Sequence, residues 1–580
     1  MALQILNSLP ASLQQHPTTL YLTGGAQKAL GDVDGAIRSF SQSLKLAPQQ
    51  PQVANALGAA FQQKGDIGAA QAQFRHAVSI EPRFAEAWIN LGRLGLEQND
   101  LSTAQEAIAQ AARLAPQDAR VKMARGRLAQ ALGDYAGATS AFREVIVQAP
   151  DYLPAYRFLA ASQKSAGDLE AARSTLDQAL GRQAENADLR LDAARLALSV
   201  GEIEAAAAHA QKAVEAVPQS LSAAELLSRI RYISGDPRFL DPYLEGLAHT
   251  DDKNSFLSAY GMAAAASGQA AEALARLEGA IKGARGAPEV ISVAGYLAQL
   301  VGEGEKALSF SEAAYAAAPT QKAIVQNRAM ALMVFGQADE AIRVAREAVA
   351  LDPSDQLGLG YLTTAAQLAG DAQAGTLFDL HTMTQQREIE PPAGFSSLKE
   401  FNTVLREELL RLHRGEREPI DQSLRGGTQI ELSGLVHQNR LIAALAEALA
   451  ANVARFAKDL PHREGHPFFG RRPETIRFSG MWSVCLKEGG RHVSHAHPEG
   501  WLSSAYYVSL PEDVSAADPE EAGWLVIGDP PFPTPRPTQT TTFAPREGTL
   551  ILFPSYAWHG TKPFRGDEPR LTVAFDVMPA

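Results

Sequence analysis

The sequence predicts a multidomain chain: an all-α superhelix of repeated helical pairs, followed by an α+β part whose core is a double-stranded β-helix of the jelly-roll or cupin-like kind. Three observations carry this. A glycine marker returns every 34 residues. That period stops near Glu390-Pro-Pro-Ala-Gly-Phe395. From Thr475 onward, short β-rich runs alternate with Gly/Pro turns. At 580 residues the chain exceeds one hydrophobic core and must divide.

The marker is Gly31, Gly65, Gly133, Gly167, Gly201 and Gly235, with Asn99 in the gap, continuing after one 33-residue step at Gly268, Gly302, Gly336 and Gly370. Pro48, Pro82, Pro116, Pro150 and Pro218 keep the same period, as do Ala36, Ala70, Ala104, Ala138, Ala172 and Ala206. Three series in one register describe a helix-turn-helix unit. Gly supplies the left-handed residue that ends the first helix. Small Ala lets the pair approach closely, and Pro stops the second helix. The copy Ala85-Glu-Ala-Trp-Ile-Asn-Leu-Gly92 is the clearest. With Trp88, Leu91, Gly92, Ala104, Ala111 and Pro116 it resembles the tetratricopeptide repeat. About eleven units are expected, within a domain spanning 1–386. The copy after Gly235 carries Pro237 and Pro242 in its second helix, which predicts an interruption. The last copy has Gly375 where Ala is expected and reads as a cap. Stacked repeats present a concave surface, so a protein or peptide partner is expected there.

A connector is expected over 387–470. Leu398–His413 and Leu435–Leu460 carry apolar residues at helical spacing. Ser423-Leu-Arg-Gly-Gly-Thr-Gln429 reads as an ordered loop, because it lacks the Lys-Ser/Thr of a phosphate-binding loop. His462 and His466, in a Pro/Gly-rich exit, read as surface histidines.

The strands expected in the last domain, 471–580, are Ile476–Leu486, Leu502–Leu510, Gly523–Ile527, Thr549–Phe553 and Leu571–Val577. Arg491-His-Val-Ser-His-Ala-His-Pro-Glu499 concentrates metal-binding side chains just before one of them. Residues i and i+2 of an extended segment share a face, so His495 with His497, or His497 with Glu499, can hold one metal. His559, after a later strand, supplies a third ligand. Such a set with open positions describes a non-haem Fe(II) oxygenase centre. If the co-substrate is 2-oxoglutarate, its far carboxylate needs a fixed cation. Arg570 fits that need, and Thr572 adds a hydroxyl on the same face. His492 reads as adjacent to the ligands or exposed. Trp482, Trp501, Trp524 and Trp558 read as core, and Cys485 as an inert strand residue.

His495-Ala-His-Pro498, Ser503-Ser-Ala-Tyr-Tyr507, Gly548-Thr-Leu-Ile-Leu-Phe-Pro554, His559 and Arg570-Leu-Thr572 together resemble the 2-oxoglutarate/Fe(II)-dependent dioxygenases. They are closest to a bacterial and phage group often joined to tetratricopeptide repeats. The resemblance covers 395–580, with Gly426-Gly-Thr-Gln429 matching upstream. It implies Fe(II) and 2-oxoglutarate, with Tyr507 hydrogen-bonding the co-substrate carboxylate. It also favours His495, His497 and His559 as ligands, because the group writes His-x-His-Pro. Glu499 is the alternative ligand, completing the two-His-one-carboxylate set. The implied activity is hydroxylation of a substrate recruited or positioned through the repeats, either a protein side chain or a small molecule. The alternative is a non-catalytic repeat scaffold with a cupin-like binding domain.

Composition narrows the rest. Hydrophobic content of 46% with 20% charged residues is ordinary for a globular protein. The net charge of -12 comes without a dense Lys/Arg cluster, so no nucleic-acid partner is expected. The single cysteine excludes an intramolecular disulfide. Without a basic leader or an apolar run of spanning length, no membrane association is expected, and the cytoplasm is the expected compartment.

Overall fold

The computed structural model describes residues 2–283, 286–413, 423–436 and 439–579. The chain forms two compact units, Met1–Ala184 and Glu185–Ala580. In the first, helices come in pairs, such as Pro51–Lys64 with Ile67–Ile80 and Ala119–Ala131 with Tyr135–Gln148. The marker residue does what its chemistry allows. Gly65 and Gly133 turn the chain at φ 87° and 78°, and Asn99 adopts the same left-handed region at φ 55°. The next residue caps the following helix: Asp66, Asp100 and Asp134 accept from the backbone N–H groups of Ala69, Thr103 and Gly137. The small-residue positions fix the helix spacing. Ala70, Ala104 and Ala138 are fully buried, and a Cβ on Gly126 would lie 2.4 Å from the Phe142 ring.

The second unit continues the pairs. After Leu221–Ile233 the partner helix shrinks to Asp241–Gly246, which Pro242 opens from its first turn. The last full helix of the paired series, Gln356–Ala369, has as its partner only the single turns Ala374–Leu377 and Leu380–Met383, where Gly375 replaces the expected Ala.

The chain then enters antiparallel sheet. Its strands are β1 (Gln385–Glu388), β2 (Leu424–Glu431), β3 (Ile476–His492), β4 (Leu502–Ser509), β5 (Leu525–Ile527), β6 (Thr541–Phe543), β7 (Thr549–Pro554), β8 (His559–Thr561) and β9 (Arg570–Pro579). Six strands run in the order β1-β7-β4-β9-β3-β2, and three in the order β6-β5-β8. Helices Leu398–Leu412 and Arg440–Asp459 bury Phe401, Leu405, Leu445, Leu449 and Phe456 in one core with Met481, Tyr506, Leu552 and Phe575. Each such fully buried side chain stabilises by about 1.5–3 kcal/mol. Tyr506 donates its hydroxyl to Asn402 at 2.8 Å, tying helix to sheet. Residues 437–438, within the expected second helix of the connector, lie outside the described residues.

Four strands were not anticipated. β1, β6 and β8 are too short to show alternation. β2 replaces the expected loop at 423–429, because its glycines make a bulge. Gly426 has φ 69°, the register shifts between Arg425 and Gly427, and a Cβ on Gly427 would meet the Cys485 carbonyl at 2.4 Å. His466 is also corrected. It is buried, its Nε2–H donating to the Thr376 carbonyl while Nδ1 accepts from the Phe468 and Phe469 N–H groups. His462 is exposed, as expected. Trp501 and Trp558 are buried, but Trp482 and Trp524 are only half-buried. Among the described residues, no helix is long and apolar enough to cross a membrane.

His413 joins helix to sheet, its ring nitrogens lying 2.8 Å from Thr428 Oγ1 and 2.9 Å from Ser483 Oγ. Burial pulls its pKa down from 6.5 to about 4. The unfolded chain therefore binds this proton first as the pH falls. The contribution is fully present above about pH 6.5 and is lost as the pH drops through about 4. Thermal unfolding followed across that window should show a shallower loss of midpoint in His413→Gln than in the wild type. Superimposable pH profiles would contradict this account.

Candidate metal centre

The centre is assembled by backbone pairing. His495, in the segment between β3 and β4, forms an isolated antiparallel bridge with His559 at the start of β8. The His495 N–H donates to the His559 carbonyl at 3.0 Å, and the reverse bond is 2.9 Å. The His497 N–H donates to the Ser555 carbonyl at 3.0 Å. Their side chains meet: one ring nitrogen from each of His495, His497 and His559 lies within 4.8 Å of the other two.

Hydrogen bonds fix which nitrogen faces inward. Nδ1 of His495 lies 2.9 Å from the Val493 carbonyl, and Nδ1 of His559 lies 3.0 Å from the Ala557 carbonyl. Nδ1 of His497 contacts the Asp576 carboxylate. These partners only accept, so each Nδ1 carries the proton and each Nε2 keeps a lone pair. This is the orientation that metal-ligating histidines take. Burial, with the neighbouring imidazoles adding repulsion, lowers the His495 pKa to about 3 and pushes that of His559 well below its usual value. Both are neutral at pH 7.

Glu499 is exposed and stands outside this group. The carboxylate at the centre is Asp576, buried in β9 and also held by the Ser503 hydroxyl at 2.7 Å. Sequence reasoning passed over it. Its signal was an acid inside Val573-Ala-Phe-Asp-Val577, where a buried strand tolerates none without a partner.

Arg570, Thr572 and Tyr507 come together on neighbouring strands. Thr572 of β9 lies opposite Tyr507 of β4. Arg570 is 2% exposed, with its guanidinium carbon 5.2 Å from the Tyr507 ring centre. Among the described residues no carboxylate pairs with Arg570, and its Nε and the Tyr507 hydroxyl have no hydrogen-bond partner beyond one another. Burial lowers the Arg570 pKa and raises that of Tyr507. A buried cation without a counter-charge costs several kcal/mol, so this arrangement fits an anion. His492 is half-buried between the two groups. Its ring stacks 5.8 Å from His495, and the charge of Arg570 reaches it. Its Nδ1 is 2.9 Å from the hydroxyl of Ser423, just ahead of β2. Trp482 stands at the rim, edge-on and 6.3 Å from the His497 ring.

The repeats support the same segment. Trp558, adjacent to His559, donates Nε1–H to Thr364 Oγ1 at 2.9 Å and toward the Gly360 carbonyl at 3.2 Å, both on the helix Gln356–Ala369. Tyr361 and Phe532 pack against its ring. The Tyr556 hydroxyl donates to the Leu377 carbonyl at 2.6 Å.

Residues 480–576 match the family described as "Putative 2OG-Fe(II) oxygenase", and residues 61–128, 129–184 and 163–230 match the tetratricopeptide repeat. The chain thus joins tetratricopeptide repeats to a domain matching that oxygenase family. Among solved structures, a tetratricopeptide repeat protein from Parabacteroides merdae is 18% identical over 36% of this chain and 82% of its own, with a TM-score of 0.32. PilF of Pseudomonas aeruginosa is 20% identical over 36% of this chain and 94% of its own, at 0.32. YrrB, described as a repeat protein with an unusual peptide-binding site, is 15% identical over 32% and 95%, at 0.27. No curated protein matches the chain.

The close seat of Trp558 depends on Gly360, where a Cβ would lie 2.9 Å from the Tyr556 carbonyl and 3.1 Å from the indole. Gly360→Ala should destabilise the second unit by about 1–3 kcal/mol through overpacking. Gly279→Ala, at a helical position with no atom within 4 Å, should instead stabilise by up to about 1 kcal/mol. Chemical denaturation checks both. A neutral Gly360→Ala would show that the repeat helix is not tightly seated on this segment.

Proposed function

We propose that this chain is a 2-oxoglutarate/Fe(II)-dependent dioxygenase that hydroxylates a protein or peptide side chain recruited or positioned through the repeats. One observation carries the reading. Three imidazoles that can each offer a nitrogen to one metal come together in the domain that also buries Arg570, which has no carboxylate partner among the described residues. The donor set suits Fe(II), since imidazole nitrogens bind it well and three ligands leave positions open. The orphaned Tyr507 hydroxyl and Arg570 Nε suit a carboxylate. Together the two groups, when bound, couple reduction of O₂ and release of succinate and CO₂ to hydroxylation of a C–H bond.

The chain's own residues do the rest. His495, His497 and His559 hold the metal. Asp576 fixes the His497 ring and raises its basicity through Nδ1–H. Arg570 takes the far carboxylate of 2-oxoglutarate, with Tyr507 and Thr572 as hydroxyl partners. Leu486, fully buried and directly opposite Arg570 on β3, keeps bulk water from its carboxylate partner. The two antiparallel sheets, sharing Leu525, Ile527, Leu552 and Phe575 in one core, support a double-stranded β-helix. We assign 1–386 to the repeats, 387–470 to the connector and 471–580 to the oxygenase domain, and place the protein in the cytoplasm.

Two measurements test this. Purified protein given Fe(II) and 2-oxoglutarate should release succinate, and Arg570→Met should abolish 2-oxoglutarate binding while still binding Mn(II). Failure of the wild type to bind 2-oxoglutarate would sink the assignment. For the ligand set, His559→Ala should lose metal, and Asp576→Asn should weaken it about 10- to 100-fold. Glu499→Ala should bind as the wild type does. Metal loss on removing Glu499 would point to the carboxylate-containing set instead.

A further inference from the structure

Ser423 lies where the tautomers of two histidines can be traced through one hydroxyl. Its Oγ is 3.2 Å from Nε2 of His495 and 2.9 Å from Nδ1 of His492. Nδ1 of His495 is already committed as a donor to the Val493 carbonyl, so His495 Nε2 can only accept. The Ser423 O–H must therefore donate to His495, and His492 Nδ1–H must donate to Ser423. The chain of donors runs from His492 to Ser423 to His495, and it ends on the lone pair that would hold the metal.

We propose that Ser423 is a positioning residue for the co-substrate: its hydroxyl, which contacts Nε2 of His495, would swing off that nitrogen when a metal takes it and donate to a carboxylate oxygen of 2-oxoglutarate. This rests on the reading of the centre as a 2-oxoglutarate site. The hydroxyl stands 3.2 Å from a nitrogen that would itself be a metal ligand, so it is within reach of a ligand bound beside His495. A metal on the His495 lone pair would displace the hydroxyl from this contact, and a carboxylate oxygen bound beside the metal then gives its proton a new acceptor. His492 stacks 5.8 Å from the His495 ring and reaches Ser423 Oγ at 2.9 Å, which places it beside the metal end of the pocket. Arg570 then serves the far carboxylate, and Ser423, backed by His492, serves the one at the metal.

This predicts effects of opposite sign, which loss of packing alone would not produce. Removing the hydroxyl frees the His495 lone pair but leaves the co-substrate one donor short. Anaerobic calorimetry on the full chain, titrating Mn(II) and then 2-oxoglutarate, separates the two. Ser423→Ala should bind Mn(II) at least as tightly as the wild type and 2-oxoglutarate about tenfold more weakly, the scale of one hydrogen bond to a charged group. Ser423→Thr, which keeps the hydroxyl, should bind 2-oxoglutarate within about threefold of the wild type. Unchanged 2-oxoglutarate affinity in Ser423→Ala, or parallel loss of metal and co-substrate, overturns the proposal. Mn(II) binding by the wild type without any 2-oxoglutarate binding overturns the co-substrate reading of the centre and this inference with it.

Discussion

Two reciprocal backbone hydrogen bonds between His495 and His559 determine the geometry of the centre. A directly opposed antiparallel pair holds its side chains on the same face, about 4.5–5.5 Å apart at Cβ. The two imidazoles therefore converge without help from loops, and their ring centres are 4.2 Å apart. His497 joins by the two-residue period of the extended segment. Everything else holds this bridge in place. The Val493 and Ala557 carbonyls turn the rings, and the Ser503–Asp576 pair steadies the third. Two of the three Nδ1 acceptors, the Val493 and Ala557 carbonyls, come from the same segments that position the ligands, so orientation and placement are set together there. The third, Asp576, comes from β9.

The repeats bear on this bridge through Trp558. A glycine in the helix Gln356–Ala369 lets the indole lie against helical backbone, and Thr364 takes its N–H. The residue next in sequence is His559. A repeat helix and a histidine of the centre are thus linked through one buried aromatic side chain. The last unit gives up its full second helix, and the single turns that follow offer the Leu377 and Thr376 carbonyls to Tyr556 and His466. Seen this way, the shortened end of the array is a docking feature and not merely a cap.

Much of this was legible in the sequence because it is periodic or chemically rare. The Gly-Asp step at 34-residue spacing has a single physical meaning, a left-handed turn followed by a capped helix, and Asn99 kept that meaning where Gly was absent. His495, His497, His559 and Arg570 stood out as residue types that strands seldom bury. What escaped notice was set by partners far away in the chain. Ser423 and β2 looked like a loop because glycines that form a bulge are indistinguishable, by composition, from glycines that form a turn. His466 looked like a surface residue because the carbonyl that holds it, Thr376, is 90 residues away. Asp576 was one acid among many until its strand was placed beside the Ser503 hydroxyl.

The position of that acid bears on the chemistry proposed. In a set of two histidines and a carboxylate, negative charge sits on the metal itself. With His495, His497 and His559 as ligands, the carboxylate that the described residues bring to the centre is one hydrogen bond back, on Nδ1 of His497. The ligand set is then neutral and leaves more of the cation's charge for the anionic co-substrate, while Asp576 still increases the basicity of one imidazole. Arg570, buried and without a carboxylate partner among the described residues, adds to the same positive field. A pocket built this way is less stable empty than filled, since a buried guanidinium without a counter-charge is costly. On the proposed function, a dianion relieving this cost at one end would meet the metal's charge at the other, so that metal and co-substrate would each favour the binding of the next.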